Sequence, residues 1–104
     1  MVPLTGQQKR RLRSLGQKLR PVVLLGKAGV SEAIVAAADE CLRRCELIKL
    51  RLPPGPPAER RASAEGLARA VGACCAGVVG RTGLLYRPNP GLPPARRIDL
   101  PQGD

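Results

Sequence analysis

Pro21-Val22-Val23-Leu24-Leu25-Gly26-Lys27-Ala28-Gly29-Val30-Ser31-Glu32-Ala33-Ile34 reads as a strand, a glycine-bracketed turn carrying one lysine, and a capped helix. Val22 to Leu25 is a short apolar run suited to a buried strand, and Ser31 is a good N-cap for the alanine-rich segment after it. Val30 and Val35 fall at N′ and N4 of that helix, the positions of a hydrophobic staple. Gly26 and Gly29 let the backbone turn sharply and let a sugar-phosphate strand come close. The orphan N–H groups that open the helix are donors for an anion, and Lys27 adds a mobile positive charge. Four residues are a weak signal, because G-x-x-G also marks a plain left-handed turn. The dinucleotide and Walker A loops need glycine spacings absent here.

Working outward, Thr5-Gly6-Gln7-Gln8 has the form of a capping box, and a helix to about Leu19 places Leu12, Leu15 and Leu19 on one stripe. Lys9, Arg10 and Arg13 fall on a flank turned away from those leucines and form a basic edge. Pro21 stops the helix. A second helix runs from about Glu32 to Arg44, with Ile34, Val35, Ala38, Cys41, Leu42 and Cys45 as its apolar positions. Glu46 to Leu52 alternates, with Ile48, Leu50 and Leu52 on one face and Leu47, Lys49 and Arg51 on the other, so it reads as a half-covered strand. Pro53 to Pro57 is a stiff connector into a third helix, about Ala58 to Val71, that turns Ala64, Leu67, Ala68 and Val71 inward, with Gly72 at C′.

Cys74 to Val79 and Thr82 to Arg87 pair as a hairpin around Gly80 and Arg81, and the proline-rich tail is irregular apart from an extended hook at Ile98 and Leu100. The expected fold is therefore α/β: one compact domain over residues 1–101, order α-β-α-β-α-β-β, with 102–104 as a short tail. Strand, helix, strand implies a parallel pair, so the sheet is mixed.

The chain has 18 Lys+Arg against 8 Asp+Glu, a formal net charge of +10 in 104 residues, which makes polyanions its natural partners. Fourteen of those cations are arginine, whose planar fork binds phosphate bidentately. Phe and Trp are absent, so aromatic base-stacking platforms are excluded and the core must be aliphatic. Tyr86, the sole aromatic, reads as core. No apolar run reaches the roughly 18 residues of a membrane span, and the expectation is a soluble cytoplasmic monomer.

With no histidine, neither the cysteines nor Ser14, Ser31 and Ser63 have the usual base, so no enzyme and no cofactor are expected. Cys41 and Cys45 lie one helical turn apart and Cys74 and Cys75 are strand neighbours pointing to opposite faces, an arrangement unsuited to zinc; no metal is expected. Arg61, Glu65 and Arg69 have the spacing of a solvated ladder. Arg81 and Arg87 flank the hairpin either as RNA contacts or as ordinary edge charges.

In order, several peptides resemble a known family: Leu4-Thr5 opening a basic helix, Leu19-Arg20-Pro21-Val22-Val23, Gly26-Lys27-Ala28-Gly29, Glu46-Leu47-Ile48-Lys49, Gly72-Ala73, and Gly80-Arg81-Thr82 leading to Leu85-Tyr86-Arg87-Pro88. The chain resembles a CRM domain (chloroplast RNA splicing and ribosome maturation) of the single-domain, YhbY-like kind. The resemblance implies a four-stranded mixed sheet with three helices and a loop related to the KH-type G-x-x-G clamp. It also implies a role in large-subunit ribosome assembly or, in plant organelles, intron splicing. Family RNA contacts carry onto Gly26, Lys27, Ala28 and Gly29 and onto Lys9, Arg10 and Arg13. Gly16-Gln17 departs from a frequent Ala-His, and Gly83 from a larger apolar residue. The expected partner is ribosomal RNA in precursors of the large subunit. The competing expectation is a nonspecific binder of polyanions or of membrane surfaces.

Overall fold

Thr5 opens the first helix with a reciprocal pair of bonds. Its hydroxyl accepts from the Gln8 N–H at 3.1 Å, and Gln8 Oε1 accepts from the Thr5 N–H at 3.0 Å. In the computed structural model, which describes residues 3–101, this helix, α1, spans Gly6–Gly16. It is followed by β1 (Pro21–Leu24), α2 (Glu32–Arg44), β2 (Leu47–Arg51), α3 (Pro57–Val71), β3 (Cys74–Val79) and β4 (Thr82–Tyr86). The sheet order is β1-β2-β4-β3, with β1 and β2 parallel and the other pairs antiparallel. This is the expected α/β domain with three helices and a four-stranded mixed sheet. The terminal segment 102–104 lies outside the described residues.

Each face of the sheet has its own core. On one side α2 and α3 bring Ala38, Leu42, Ala64, Leu67, Ala68 and Val71 against Val23, Ile48, Leu50, Leu52 and Leu85. On the other, Leu12 of α1 meets Leu47, Ala76, Leu84 and Tyr86, and Ile98 and Leu100 of the tail pack against the same cluster. Tyr86 is core, as its isolation among aliphatics implied. The start of β2 is covered on both faces: Leu47 is 5% exposed because α1 closes over it, so the strand is less open than its alternation implied.

α1 is shorter than its leucine spacing predicted. It ends at Gly16, the Leu19 N–H turns back to the Gly16 carbonyl at 3.0 Å, and Leu19 is left 36% exposed. Pro21 drives Arg20 out of the helical region and so sets the last point at which a helix could end, but α1 stops before that limit. Gly16 lies so close to β4 that a Cβ there would stand 2.7 Å from both methyls of Leu84, which fills the volume an alanine would take. At the end of α3, Gly72 adopts the left-handed conformation (φ 67°) expected of a C′ glycine.

The tail is more ordered than its prolines implied. It makes a 3₁₀ turn at Pro94–Arg96, and Gln8 Nε2 donates to the Pro101 carbonyl at 2.9 Å. Glu46, just before β2, has a fully buried side chain. Its carboxylate accepts from the Asn89 N–H at 2.6 Å, from the Ile98 N–H, and from Arg97 Nε at 3.3 Å. One buried acid thus fixes three points of the segment after β4.

Candidate nucleic-acid interface

The G-x-x-G loop grows directly out of β1. The Leu25 N–H donates to the Arg51 carbonyl at 2.9 Å, extending the parallel pairing, and the Gly29 N–H then donates to the Gly26 carbonyl at 3.0 Å. Lys27 and Ala28 are therefore the central residues of a tight turn, both exposed. Ser31 Oγ accepts from the Ile34 N–H at 3.3 Å and starts α2 immediately behind the turn. The two glycines have different reasons to be glycine. Gly29 has φ 77°, a region that L side chains rarely adopt, whereas Gly26 has no positive φ. A Cβ on either would meet nothing within 4 Å, so this stretch of backbone is bare.

Two other loops gather at the same end of the sheet. Leu52 donates its N–H to the Arg81 carbonyl at 2.7 Å, and Arg81 Nε donates to the Leu52 carbonyl at 3.1 Å, which ties the β3–β4 turn to the proline connector. A cleft separates the G-x-x-G loop from that connector, lined by Gly26, Lys27 and Gly29 on one side and by Pro53, Pro54, Glu59 and Arg60 on the other, so one acid and one arginine face the loop together.

Lys9, Arg10 and Arg13 are exposed on α1. The stem of Arg13 lies over Gly77 of β3, where a Cβ would come within 3.2 Å of Arg13 Cδ. Neither these three residues nor Lys27 forms an ion pair among the described residues. α1 packs through Leu12 over Leu47, Ala76, Leu84 and Tyr86, while Val22 and Leu24, on the strand that leads into the loop, are exposed.

Arg87 is engaged within the fold. Its Nη1 donates to Asp39 Oδ1 at 2.8 Å and to the Val71 carbonyl at 2.9 Å, and Nη2 donates to the Asp39 carbonyl at 3.3 Å. One guanidinium, 21% exposed, thereby ties the end of β4 to α2 and α3. The hydrogen bond from Arg87 holds the Asp39 carboxyl below the usual carboxylate range against some desolvation, and Arg43 adds to the effect. The linkage sign follows: a depressed folded-state pKa stabilises above the unfolded value of about 3.9 and loses that contribution as pH falls through the folded pKa. Asp39→Asn is therefore expected to melt lower than wild type at pH 7, with the difference closing in acid. A pH series of thermal melts reads this directly, and a difference that stays constant down to acid would contradict it.

The chemistry of the remaining groups is structural. Burial pushes the Cys75 thiol up, away from the thiolate a nucleophile needs, and Cys41 and Cys75 both pack against the main core. Among the described residues no three of Cys, Asp or Glu are grouped to hold a metal. Among the described residues Arg61, Glu65 and Arg69 do not close into ion pairs, so the expected ladder is only a solvated row.

One feature had no signal in the sequence, the buried Glu46, and another, the distribution of acids over the fold, was legible only through the element order. Glu32, Asp39 and Glu40 are on α2, Glu59 and Glu65 on α3, Asp99 in the tail, and Glu46 is buried before β2. α1 and all four strands carry none. The element order alone had to be known to see this, because the acids are scattered along the chain.

Comparison with known proteins agrees with this architecture. A probable RNA-binding protein of Pseudomonas aeruginosa is 32% identical over 87 residues, 84% of each chain. The probable RNA-binding protein YqeI of Bacillus subtilis is 33% identical over 84 residues, 81% of this chain and 88% of the relative. The solution structure of a hypothetical protein of Staphylococcus aureus superposes with a TM-score of 0.82 at 33% identity, covering 94% of this chain and 99% of that one. The model of the CRS1 / YhbY (CRM) domain matches residues 4–87, the span that holds the G-x-x-G loop, α1 and the whole sheet, and the chain belongs to that family.

Proposed function

We propose that this protein binds RNA by its backbone, seating a phosphodiester against Gly26 to Gly29 after electrostatic capture by α1, and that it acts as an assembly factor on large-subunit precursor RNA. The observation that carries the reading is the segregation of charge: α1 and the four strands hold no carboxylate, while α1 alone presents Lys9, Arg10, Arg11 and Arg13. A polyanion approaching α1 meets cations on a helix without carboxylates, while exposed Asp99 of the tail lies at the start of that helix beside Leu4, Thr5 and Gln8. The names of the relatives, which refer to RNA binding, support the choice of RNA among polyanions. Lys27, exposed at the tip of the turn, closes over a phosphate. Arg81 borders the loop end and contributes charge there, whereas Arg87 is assigned to packing because Nη1 and Nη2 already bond Asp39 and the Val71 carbonyl. The protein works without cofactor or catalysis.

The test is the loop. Gly26 has neither a positive φ nor a neighbour that a Cβ would strike, so Gly26→Asp is expected to fold like wild type. It adds a repelling charge where phosphate sits and should weaken binding of a structured ribosomal RNA fragment by about tenfold or more, roughly 1.4 kcal/mol. Gly29→Asp should lose stability as well, by about 1 kcal/mol, because its φ of 77° becomes strained. Unchanged affinity in folded Gly26→Asp would remove the loop from the mechanism. Equal affinity for the RNA and for duplex DNA across a salt series, with no cosedimentation with large-subunit precursors, would leave only nonspecific polyanion binding.

A further inference from the structure

The sheet face that carries α1 is covered along only part of its length. α1 and the tail close over Leu47, Ala76, Leu84 and Tyr86. Toward the loops the face is bare, and strand register fixes its last transverse row as Leu24 of β1, Arg51 of β2, Thr82 of β4 and Val79 of β3. Leu24 and Val79 are 67% and 71% exposed, and Val22, one step back on β1, is 54% exposed. Val22 and Leu24 adjoin on one edge strand and Val79 stands on the other, so the exposed aliphatics flank the cationic centre of the strip from its two edges. Lys49 of β2 and Arg13 of α1 line a groove together with Val79 and Thr82. The polar side chains of the strip are thus cations, the Thr82 hydroxyl and the Gln17 amide, with no carboxylate. Arg13, Lys49 and Arg51 form no ion pair among the described residues, and no strand bears an acid.

We infer that this strip is an RNA-binding platform in its own right, taking single-stranded nucleotides that run from the G-x-x-G loop toward α1. Phosphates rest on Arg13, Lys49 and Arg51, and base faces lie against Val22, Leu24 and Val79. The inference rests on the RNA reading above and extends it, because it joins two contact regions that the fold holds apart. Charge complementarity selects the occupant: a partner that meets three unpaired cations and no carboxylate must be anionic along its length. Continuity selects it again, since Leu24 ends β1 two residues before Gly26. Three strand spacings of about 4.8 Å separate Leu24 from Val79, a span of roughly 14 Å. A four-stranded sheet face elsewhere accommodates about two or three bases. With aliphatic side chains in place of aromatics, the contact discriminates poorly among bases and adds affinity through buried apolar area.

Two double variants and one control separate the possibilities, all measured with a single-stranded oligouridylate over a salt series. Leu24→Ser with Val79→Ser alters exposed positions only and should weaken binding by about tenfold while leaving the salt slope unchanged. Lys49→Gln with Arg51→Gln should lower the slope of log affinity against log salt by about 1.4, two phosphates at about 0.7 each. Gly26→Asp reports on the loop in the same assay. If wild type binds and Gly26→Asp weakens while both sheet doubles match wild type, the platform is overturned and the loop reading survives. If wild type does not bind RNA at any salt, the RNA reading fails and the platform with it. Sedimentation of the same proteins covers a second copy as occupant: a wild-type dimer that Leu24→Ser and Val79→Ser dissolve, with RNA affinity unchanged, would assign the strip to self-association and overturn the inference.

Discussion

Glu46→Ala is expected to lower the stability of this protein by about 3 kcal/mol, because it strands buried donors in place of a satisfied buried acid. The carboxylate holds the amides of Asn89 and Ile98 and the Nε of Arg97 at once. Arg97 is 40% exposed and can turn to water, so the cost falls on the two backbone N–H groups. Their loss also frees the hook, and Ile98 and Leu100 then give up their packing against the Leu12 and Tyr86 cluster. For a domain of this size the change corresponds to a fall in melting midpoint of roughly 12–24 °C. Glu46→Gln keeps one acceptor oxygen without its charge and should fall between. Thermal melts check the magnitude, and hydrogen exchange at the Ile98 and Asn89 amides checks the cause. An alanine variant that melts within about 3 °C of wild type, with those amides still protected, would show that the tail is held by other contacts.

The contrast between Glu46 and Thr5 explains what the sequence could disclose. Thr5 is capped by Gln8, three residues away, and Ser31 caps Ile34 at the same separation; both were visible as local patterns and both form. The strand–turn–helix at 21–34 and the alternation of β2 were legible for the same reason, and element order then dictated a mixed sheet. The partners of Glu46 lie 43, 51 and 52 residues away, so no local periodicity announces them. Arg87 is a similar case: its acid is 48 residues distant. An arginine beside a hairpin looks alike in sequence whether it faces solvent or bridges two helices. The G-x-x-G loop was readable as a turn, but the difference between a glycine required by φ at 29 and a glycine left bare at 26 needed the backbone itself. The open strip of sheet was hidden because α1 covers less of the sheet than its leucine stripe promised, leaving Val22, Leu24 and Val79 uncovered.

Neutralising α1 is expected to have the largest effect on RNA affinity. Lys9, Arg10 and Arg13 are exposed on a helix with no acid of its own, and none is engaged in an ion pair among the described residues. Their charges are therefore available to displace counterions from RNA. Changing all three to glutamine should reduce the slope of log affinity against log salt by about 2, taking about 0.7 for each neutralised phosphate on a single strand. Extrapolated from 1 M salt, where the electrostatic contribution is small, to about 0.15 M, that slope change amounts to roughly fiftyfold weaker binding. Lys27→Ala, one local charge, should shift the slope by about 0.7 at most. Stability should change little, since exposed charges without partners contribute little to folding. The discriminating measurement is a filter-binding or anisotropy titration at four or more salt concentrations for wild type, the triple variant and Lys27→Ala. If the triple variant keeps the wild-type slope, α1 does not touch the RNA backbone. Capture would then have to begin at the loop and the open sheet, whose cations Lys27, Lys49 and Arg51 form a separate electrostatic footprint.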